Sequence, residues 1–139
     1  MTRRSSYLEH LARVPLFSDC TKQELQRLAR RTTDITIDPG QAIIKEGRTG
    51  FEFFVVVDGK AEVTRKGKNV GQVGPGDFFG ELALLDNAPR NATITATTPM
   101  EVIVLIRAEF NAALAEAPGM TRKLMTGMAR RLRQLDELA

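Results

Sequence analysis

A series of short apolar segments, separated by turns that contain glycine, lies between residues 38 and 106 and limits the folds open to this chain. The segments are rich in β-branched and aromatic residues, which favour strands. They are Ala42–Lys45, Phe53–Val57, Ala61–Arg65, Val70–Val73, Thr93–Thr97 and Val102–Ile106. Asp58-Gly59 predicts a hairpin turn. Because no strand–helix alternation appears, the sequence predicts an antiparallel sandwich or small barrel.

Helical patterns precede and follow these strands. Tyr7–Arg13 is the first, and Thr21 starts a second, with Glu24 placed for a capping box. After the strands come Arg107–Ala115 and, beyond the break at Pro118-Gly119, a longer helix from Met120 to Leu138. At 3.6 residues per turn the longer helix has an apolar stripe that also contains Arg131: Leu124, Met128, Leu132, Leu135 and Leu138.

Composition narrows the function classes. The 139 residues fit one domain, and no apolar run approaches the length of a membrane span. The single cysteine, Cys20, fits a reducing compartment. The net charge of +3 includes two basic clusters without interleaved aromatic residues, which we interpret as solvated helix faces rather than nucleic-acid sites. We therefore expect a cytoplasmic protein without membrane association.

The stretch GDFFGELALLDNAPRNAT, from Gly76 to Thr93, carries the chemistry. Gly80 precedes a short helical pattern whose first amides, around Leu82 and Ala83, would have no intrahelical partner, point outward and favour an anion. Arg90 adds a planar, permanently charged fork that suits phosphate. Glu81 would repel a bare anion, but it suits a ligand with a hydroxyl beside its phosphate, such as a ribose phosphate.

The string from Phe79 to Leu85, followed by Pro89-Arg90-x-Ala92-Thr93, resembles the phosphate-binding cassette of the cyclic nucleotide-binding domain family. The resemblance implies that Glu81 takes the ribose 2'-hydroxyl, and that Arg90 and the first helical amides take the cyclic phosphate. It also implies apolar walls for the base and a cap from the last helix. The implied ligand-binding residues are Gly80, Glu81, Leu82, Ala83, Arg90, Asn91, Ala92, Val63, Val70 and Arg131.

The same resemblance implies the fold. It is mainly β with flanking α-helices: an eight-stranded antiparallel jelly-roll β-barrel, an N-terminal helical segment and two C-terminal helices. We expect a single domain over 1–139, with helices in 1–37, the barrel in 38–106, the cassette in 76–93 and C-terminal helices in 107–139. In the family the last helix covers the nucleotide as a lid and often forms a homodimer contact.

Two positions leave alternatives open. Small residues, Ala, Ser or Thr, are usual in the family where this chain has Asn91, and a threonine there favours guanine. The amide of Asn91 could touch the phosphate, the purine 2-amino group or only solvent. Arg131 could cover the base with its guanidinium plane or extend past Leu135 into solvent.

The sequence predicts binding without turnover. The only histidine, His10, lies far from the cassette, and the barrel segments lack a metal-ligand set. We expect no cofactor, and a bacterial, stand-alone sensor that binds cAMP in preference to cGMP, repositions its C-terminal helix and acts on an unidentified protein effector without binding DNA. The alternatives are the sensor part of a transcription regulator that lacks its DNA-binding domain, a dimerisation or docking module without ligand, and a subunit of an enzyme whose catalytic domain lies in another chain.

Overall fold

The computed structural model describes residues 3–138, with side chains described from Tyr7 to Glu137. The helices are α1 Arg3–Ala12, α2 Lys22–Arg30, α3 Arg107–Glu116 and α4 Gly119–Leu138, with 3₁₀ helices at Pro15–Phe17 and Glu81–Leu84. The strands are β1 Thr33–Ile37, β2 Ala42–Ile44, β3 Glu52–Asp58, β4 Ala61–Arg65, β5 Lys68–Val73, β6 Phe78–Phe79, β7 Thr93–Ala96 and β8 Met100–Ile106. The chain forms two compact units: Thr32–Arg107, here called the barrel unit, and Met1–Arg31 with Ala108–Ala139, the helical unit.

The barrel unit consists of two four-stranded antiparallel sheets, in the orders β1-β8-β3-β6 and β2-β7-β4-β5. Alternate side chains of both sheets point into one apolar core. The buried residues of that core are Ile37, Phe54, Val56, Ala61, Ile94, Ala96, Met100, Val102 and Val104. The predicted mainly β fold, with eight antiparallel strands between helices, is confirmed.

Of two glycine-containing turns in the barrel unit, one closes a hairpin and the other connects the two sheets. Lys66-Gly67 forms a two-residue hairpin between β4 and β5, with φ of 53° and 78° at its two residues. The hairpin predicted at Asp58-Gly59 is wrong, because β3 and β4 belong to different sheets. At Gly59 φ is +89°, and a Cβ there would lie 2.8 Å from Cα of Met100. Glycine is needed at this crossing because the chain passes close to the start of β8.

Two of the eight strands had no clear signal of their own. β1 has only Ile35 and Ile37 as apolar residues, and it is an edge strand that pairs with β8 alone. β6 is two residues long and pairs Phe78 and Phe79 with β3. Such short segments gain their strand conformation from the neighbouring strand rather than from local propensity.

In the helical unit, α1 packs on α2, and α4 packs on the 3₁₀ helix Pro15–Phe17. The capping box is confirmed: Glu24 N donates to Thr21 Oγ1 at 3.2 Å, and Thr21 N donates to Glu24 Oε1 at 2.8 Å. Gly127 permits the close packing of α4, since a Cβ there would lie 2.8 Å from the carbonyl oxygen of Pro15. Leu124, on the same helix, is also buried.

The predicted apolar stripe of α4 is only partly buried. Leu124 is 5% exposed, whereas Leu132 is 58% and Leu135 47% exposed. The side chain of Leu138 falls outside the described residues. The first half of α4 therefore belongs to a packed core, and the second half presents leucines at the surface of the helical unit.

Ion pairs join the N-terminal and C-terminal helices of this unit. They link Arg27 to Glu116 at 3.2 Å, Arg31 to Glu109 at 2.8 Å, Lys123 to Glu24 at 2.9 Å and Arg130 to Asp19 at 2.5 Å, and Arg31 also pairs with Glu116. The basic clusters that we interpreted as solvated faces are thus partly engaged in these pairs. Among residues 3–138, no helix combines the length and the apolar character needed to cross a bilayer.

Candidate functional site

The cassette segment runs from β6 through the 3₁₀ helix Glu81–Leu84 to β7, entirely within the barrel unit. Gly80 precedes the helix in the left-handed conformation, with φ of +83°. After the helix the chain returns to the barrel through a bridge between Thr49 and Pro89. The segment is therefore anchored at both ends, and the loop between them can shape a cavity.

A cavity of about 550 Å³ opens beside the cassette. Apolar side chains of the β2-β7-β4-β5 sheet form one wall, and cassette residues form the other. The lining residues are Ile44, Val63, Arg65, Val73, Phe79, Gly80, Glu81, Leu82, Ala83, Asp86, Ala88, Pro89, Arg90, Asn91, Ala92 and Ile94. A concave, largely apolar cavity with a few convergent charged groups is the usual form of a small-ligand site.

Arg90 is the buried cation of this cavity. It is 9% exposed, and its Nη2 donates to the main-chain carbonyl of Glu52 at 2.8 Å. Burial lowers the pKa of the Arg90 guanidinium, while the nearby Glu52 acts in the opposite direction. An arginine remains charged in proteins even so. A buried positive charge facing a cavity is suited to an anionic ligand, which would replace the water that burial removes.

Glu81 is the first residue of the 3₁₀ helix and lines the same cavity, half-buried. The two charged residues that the sequence singled out are thus brought to one cavity. Gly80 lies against Arg90: a Cβ at Gly80 would be 2.7 Å from Nη1 of Arg90 and 2.8 Å from the carbonyl oxygen of Glu52. The glycine therefore makes room for the guanidinium.

The helical amides differ from the expectation. The segment is a 3₁₀ helix, and the amide of Ala83 donates to the carbonyl of Gly80 at 3.1 Å. The prediction that this amide lacks a partner is wrong for this conformation, because a 3₁₀ turn closes after three residues. A role for Ala83 in ligand binding stays a prediction, and it requires that bond to lengthen or to be shared. Leu82 lines the cavity with its side chain 55% exposed.

The apolar wall contains one of the two predicted valines. Val63 lines the cavity, but Val70 is 52% exposed and is not among the lining residues. The pairing of β4 with β5 shifts after Val63, which faces Gly71, while Thr64 faces Asn69. Val70 is thus the extra residue of a β-bulge, and a bulge redirects side chains. Val73, further along β5, lines the cavity instead of Val70.

Arg65 is a lining residue that sequence reasoning missed. Its Nε donates to the main-chain carbonyl of Asn91 at 2.9 Å, which holds the guanidinium at the rim of the cavity. Asn91 itself is exposed, whereas Ala92 is buried. Arg65 ends β4 and had no local signal; only the pairing of β4 with β7 brings it beside the cassette.

Arg107 was also missed. From the last position of the barrel unit its Nε donates to the Ala83 carbonyl at 2.9 Å, and its Nη1 donates to Oδ1 of Asn87 at 2.6 Å. The guanidinium also lies 4.9 Å from the centroid of the Phe51 ring. One side chain thus binds the carbonyl end of the cassette helix and the loop after it.

Arg131, the predicted cap of the base, is exposed on α4 in the helical unit. Its role over a ligand stays a prediction. His10 lies on α1 of the same unit, where burial and the neighbouring Arg13 lower its pKa. Within residues 3–138, no group of three or more His, Cys, Asp or Glu side chains could hold a metal ion.

Comparison with known proteins gives a family match. Residues 35–117 match the family model described as "Cyclic nucleotide-binding domain". A cAMP-dependent protein kinase regulatory subunit of Yarrowia lipolytica is 45% identical over 105 residues, which cover 74% of this chain and 28% of that protein. Across this and three further curated relatives, all cAMP-dependent protein kinase regulatory subunits, the chain matches between 19% and 32% of the relative's length. These relatives are fungal, so they do not support the expected bacterial source.

Two solved structures are similar over most of the chain. The N-terminal domain of a transcriptional regulator from Streptomyces coelicolor A3(2) has a TM-score of 0.83 and 31% identity, covering 92% of this chain and 95% of that one. A structure described as cAMP-bound PfPKA-R (141-441) has a TM-score of 0.69 and 34% identity, covering 98% of this chain and 47% of that one.

Proposed function

The chain belongs to the cyclic nucleotide-binding domain family, and from that premise we propose that it binds a purine cyclic mononucleotide, cAMP in preference to cGMP, in the cavity beside the cassette. The observation that carries this proposal is that buried Arg90 and half-buried Glu81 line one cavity whose opposite wall is apolar. A cyclic nucleotide has a phosphate, a ribose hydroxyl and an aromatic base, and each would find a matching surface.

The recognition is divided among three groups. Arg90 binds the cyclic phosphate through charge-assisted hydrogen bonds, and Glu81 accepts a hydrogen bond from the ribose 2'-hydroxyl. The base lies against Val63, Val73 and Ile94, which contribute by excluding water. In this arrangement Glu81 repels the phosphate slightly, but its hydrogen bond favours a ligand that carries the 2'-hydroxyl.

The relatives support cAMP as the ligand. One is named a cAMP-dependent kinase regulatory subunit, and one of the similar structures is described as cAMP-bound. Asn91, exposed at the rim, lacks the threonine hydroxyl that favours guanine in the family. We assign its side chain to solvent, so it adds no preference for cGMP.

The proposed output is a change in the C-terminal helix α4 that an effector protein detects. A kinase catalytic chain is one candidate effector, because of the name of the Yarrowia lipolytica relative. The similarity to the N-terminal domain of a transcriptional regulator favours the second candidate, in which this domain is the sensor of a DNA-binding protein. In both cases the domain binds and does not catalyse.

Titration calorimetry with cAMP and cGMP tests the proposal. We expect both ligands to bind, cAMP more tightly, and Arg90→Leu to cost about 2–4 kcal/mol, or ~30- to 1000-fold in affinity. Asn91→Ala should change the cGMP to cAMP ratio by less than ~2-fold, since one good hydrogen bond to the base is worth ~0.5–1.5 kcal/mol. Arg30→Leu, an exposed arginine on α2, is the control. Wild-type affinity in Arg90→Leu would refute the site.

A further inference from the structure

We propose that Gly50 is a positioning residue for Arg90, and that the site requires its lack of a side chain rather than any freedom of its backbone. The proposal rests on the proposed function, because the guanidinium that Gly50 accommodates is the one assigned to the phosphate. Gly50 belongs to the loop between β2 and β3, distant in sequence from the cassette.

Gly50 and Gly80 form the two sides of a narrow slot that holds the Arg90 guanidinium. A Cβ at Gly50 would lie 2.5 Å from Nε and 2.7 Å from Cζ of Arg90, well inside van der Waals contact. A Cβ at Gly80 would lie 2.7 Å from Nη1. Neither glycine can gain a side chain while the guanidinium keeps this position.

The two glycines differ in their backbone. Gly80 is left-handed at φ +83°, so any substitution there adds backbone strain to the steric conflict. Gly50 is not among the residues with positive φ. An alanine at Gly50 therefore changes only the space beside Arg90, and Gly50→Ala is the cleaner probe of the slot.

The same loop fixes the main chain of Arg90. The amide of Arg90 donates to the Arg48 carbonyl at 2.9 Å, and the amide of Gly47 donates to the Arg90 carbonyl at 2.8 Å. With its main chain held, Arg90 can relieve a contact at Gly50 only by moving its side chain. That movement breaks the bond from Nη2 to the Glu52 carbonyl.

A displaced guanidinium has somewhere to go. Arg90 lines a second cavity of about 280 Å³, whose other lining residues are Ala42, Ile43, Ile44, Lys45, Arg48, Thr49, Gly50 and Glu52. Gly50 thus lies at the point where the guanidinium either faces the ligand cavity or moves into the second cavity. The slot presents the charge in advance of binding, which reduces the cost of ordering it when the phosphate arrives.

A double-mutant cycle tests this inference. We would measure cAMP affinity by calorimetry and stability by urea unfolding for wild type, Gly50→Ala, Arg90→Ala and the double variant. Gly71→Ala, on β5 with open space at its Cβ position, is the matched control. We expect Gly50→Ala to weaken cAMP binding roughly 10-fold in the wild-type background and less than about 2-fold in the Arg90→Ala background.

Unchanged affinity in Gly50→Ala, or the same fold loss in both backgrounds, would overturn the proposal. The unfolding data are independent of any ligand: Gly50→Ala should lower the urea midpoint when Arg90 is present and not when Arg90 is alanine. If the wild-type chain binds no cyclic nucleotide, the proposed function fails, and the unfolding cycle alone decides whether the slot exists. The unfolding cycle also decides whether the slot exists in the case where Arg90→Ala binds cAMP too weakly for its affinity to be measured.

Discussion

Arg107 donates from Nε to the main-chain carbonyl of Ala83 at 2.9 Å, so the last residue of the barrel unit holds the short helix of the cassette. The same guanidinium binds Oδ1 of Asn87 and the carbonyl of Asp86. Ala83 lies in the short helix, and Asp86 and Asn87 lie in the loop that follows it, so one side chain joins the helix to the loop. Arg107 is therefore placed to set the shape of the cassette without touching the ligand cavity.

Replacing Arg107 by alanine should destabilise the fold and weaken ligand binding together. Losing the hydrogen bonds to the Ala83 and Asp86 carbonyls should cost about 1–3 kcal/mol in the free energy of unfolding. Urea unfolding measures the first effect and calorimetry with cAMP the second. Arg107→Lys keeps the charge but cannot bind several acceptors at once, so it should resemble alanine. A lysine variant with wild-type stability and cAMP affinity would contradict the proposal that Arg107 must bind several acceptors at once.

Glu81 and the ribose hydroxyl should behave as a pair. We expect Glu81→Ala to weaken cAMP binding less than Arg90→Leu does, because the change also removes repulsion of the phosphate. A 2'-deoxy cyclic nucleotide has no hydroxyl to offer, so wild type and Glu81→Ala should bind it with affinities within about 2-fold, whereas they differ for cAMP. Calorimetry with both ligands gives the comparison. An equal loss for both ligands would assign Glu81 a purely structural role.

Sequence was sufficient for features that are local. The cassette motif predicted that Glu81 and Arg90 lie at one site, and both line one cavity. The Thr21–Glu24 spacing predicted the capping box that the structure contains. Features that depend on strand pairing were not accessible. Arg65 and Gly50 approach the cassette only through the barrel, and the bulge that replaces Val70 by Val73 follows from a shift in the pairing of β4 with β5.

The apolar stripe of α4 shows the same limit. Its periodicity indicated one continuous face, and it could not distinguish the part that packs from the part that does not. Burial of the stripe depends on which other elements of the helical unit pack against α4. The Pro15–Phe17 segment contacts α4 near Gly127. Beyond this contact, Leu132 and Leu135 are exposed on the helix.

Glu24 predicts a pH dependence of stability in the helical unit. Burial raises the pKa of this carboxyl, but hydrogen bonds from Thr21 and Lys123 outweigh it and hold the pKa below its ordinary value. A carboxyl with a lowered folded pKa stabilises the fold above its unfolded pKa, and the contribution disappears as the pH falls through the folded value. Stability gained from Glu24 is therefore present at pH 7 and absent in acid.

Glu24→Gln isolates that charge, because glutamine can still serve the capping box. We expect a loss of up to about 1 kcal/mol at pH 7, mostly from the pair with Lys123, and no difference from wild type once the pH is below the folded pKa of Glu24. Urea unfolding between pH 3 and 7 measures it, with Glu9→Gln, an exposed position on α1, as the control. A difference that persists unchanged in acid would mean that packing, not charge, explains the loss.

The second half of α4 is the segment that we expect to respond to the ligand. Its first half is already held by the buried Met120 and Leu124 and by the contact at Gly127, so it has little protection left to gain. Leu132 and Leu135 are exposed, and a ligand can stabilise a docked state of this segment only through contacts that exist in that state. The response should therefore be uneven along one helix.

Hydrogen exchange with and without cAMP tests this expectation. Amides over Leu124–Leu135 should gain protection with ligand, and most of the gain should lie after Met128, because the earlier turns are packed before cAMP binds. Gly127→Ala provides the lever: its Cβ would meet the carbonyl oxygens of Pro15 and Leu16 at 2.8 and 2.9 Å, so the variant should raise exchange in the first half of α4. Gly119→Ala, where the Cβ position is open, should not. Identical exchange with and without cAMP would identify α4 as a static packing element. If protection rises and Arg131→Ala still binds cAMP as wild type does, α4 responds to the ligand without Arg131 as its cap.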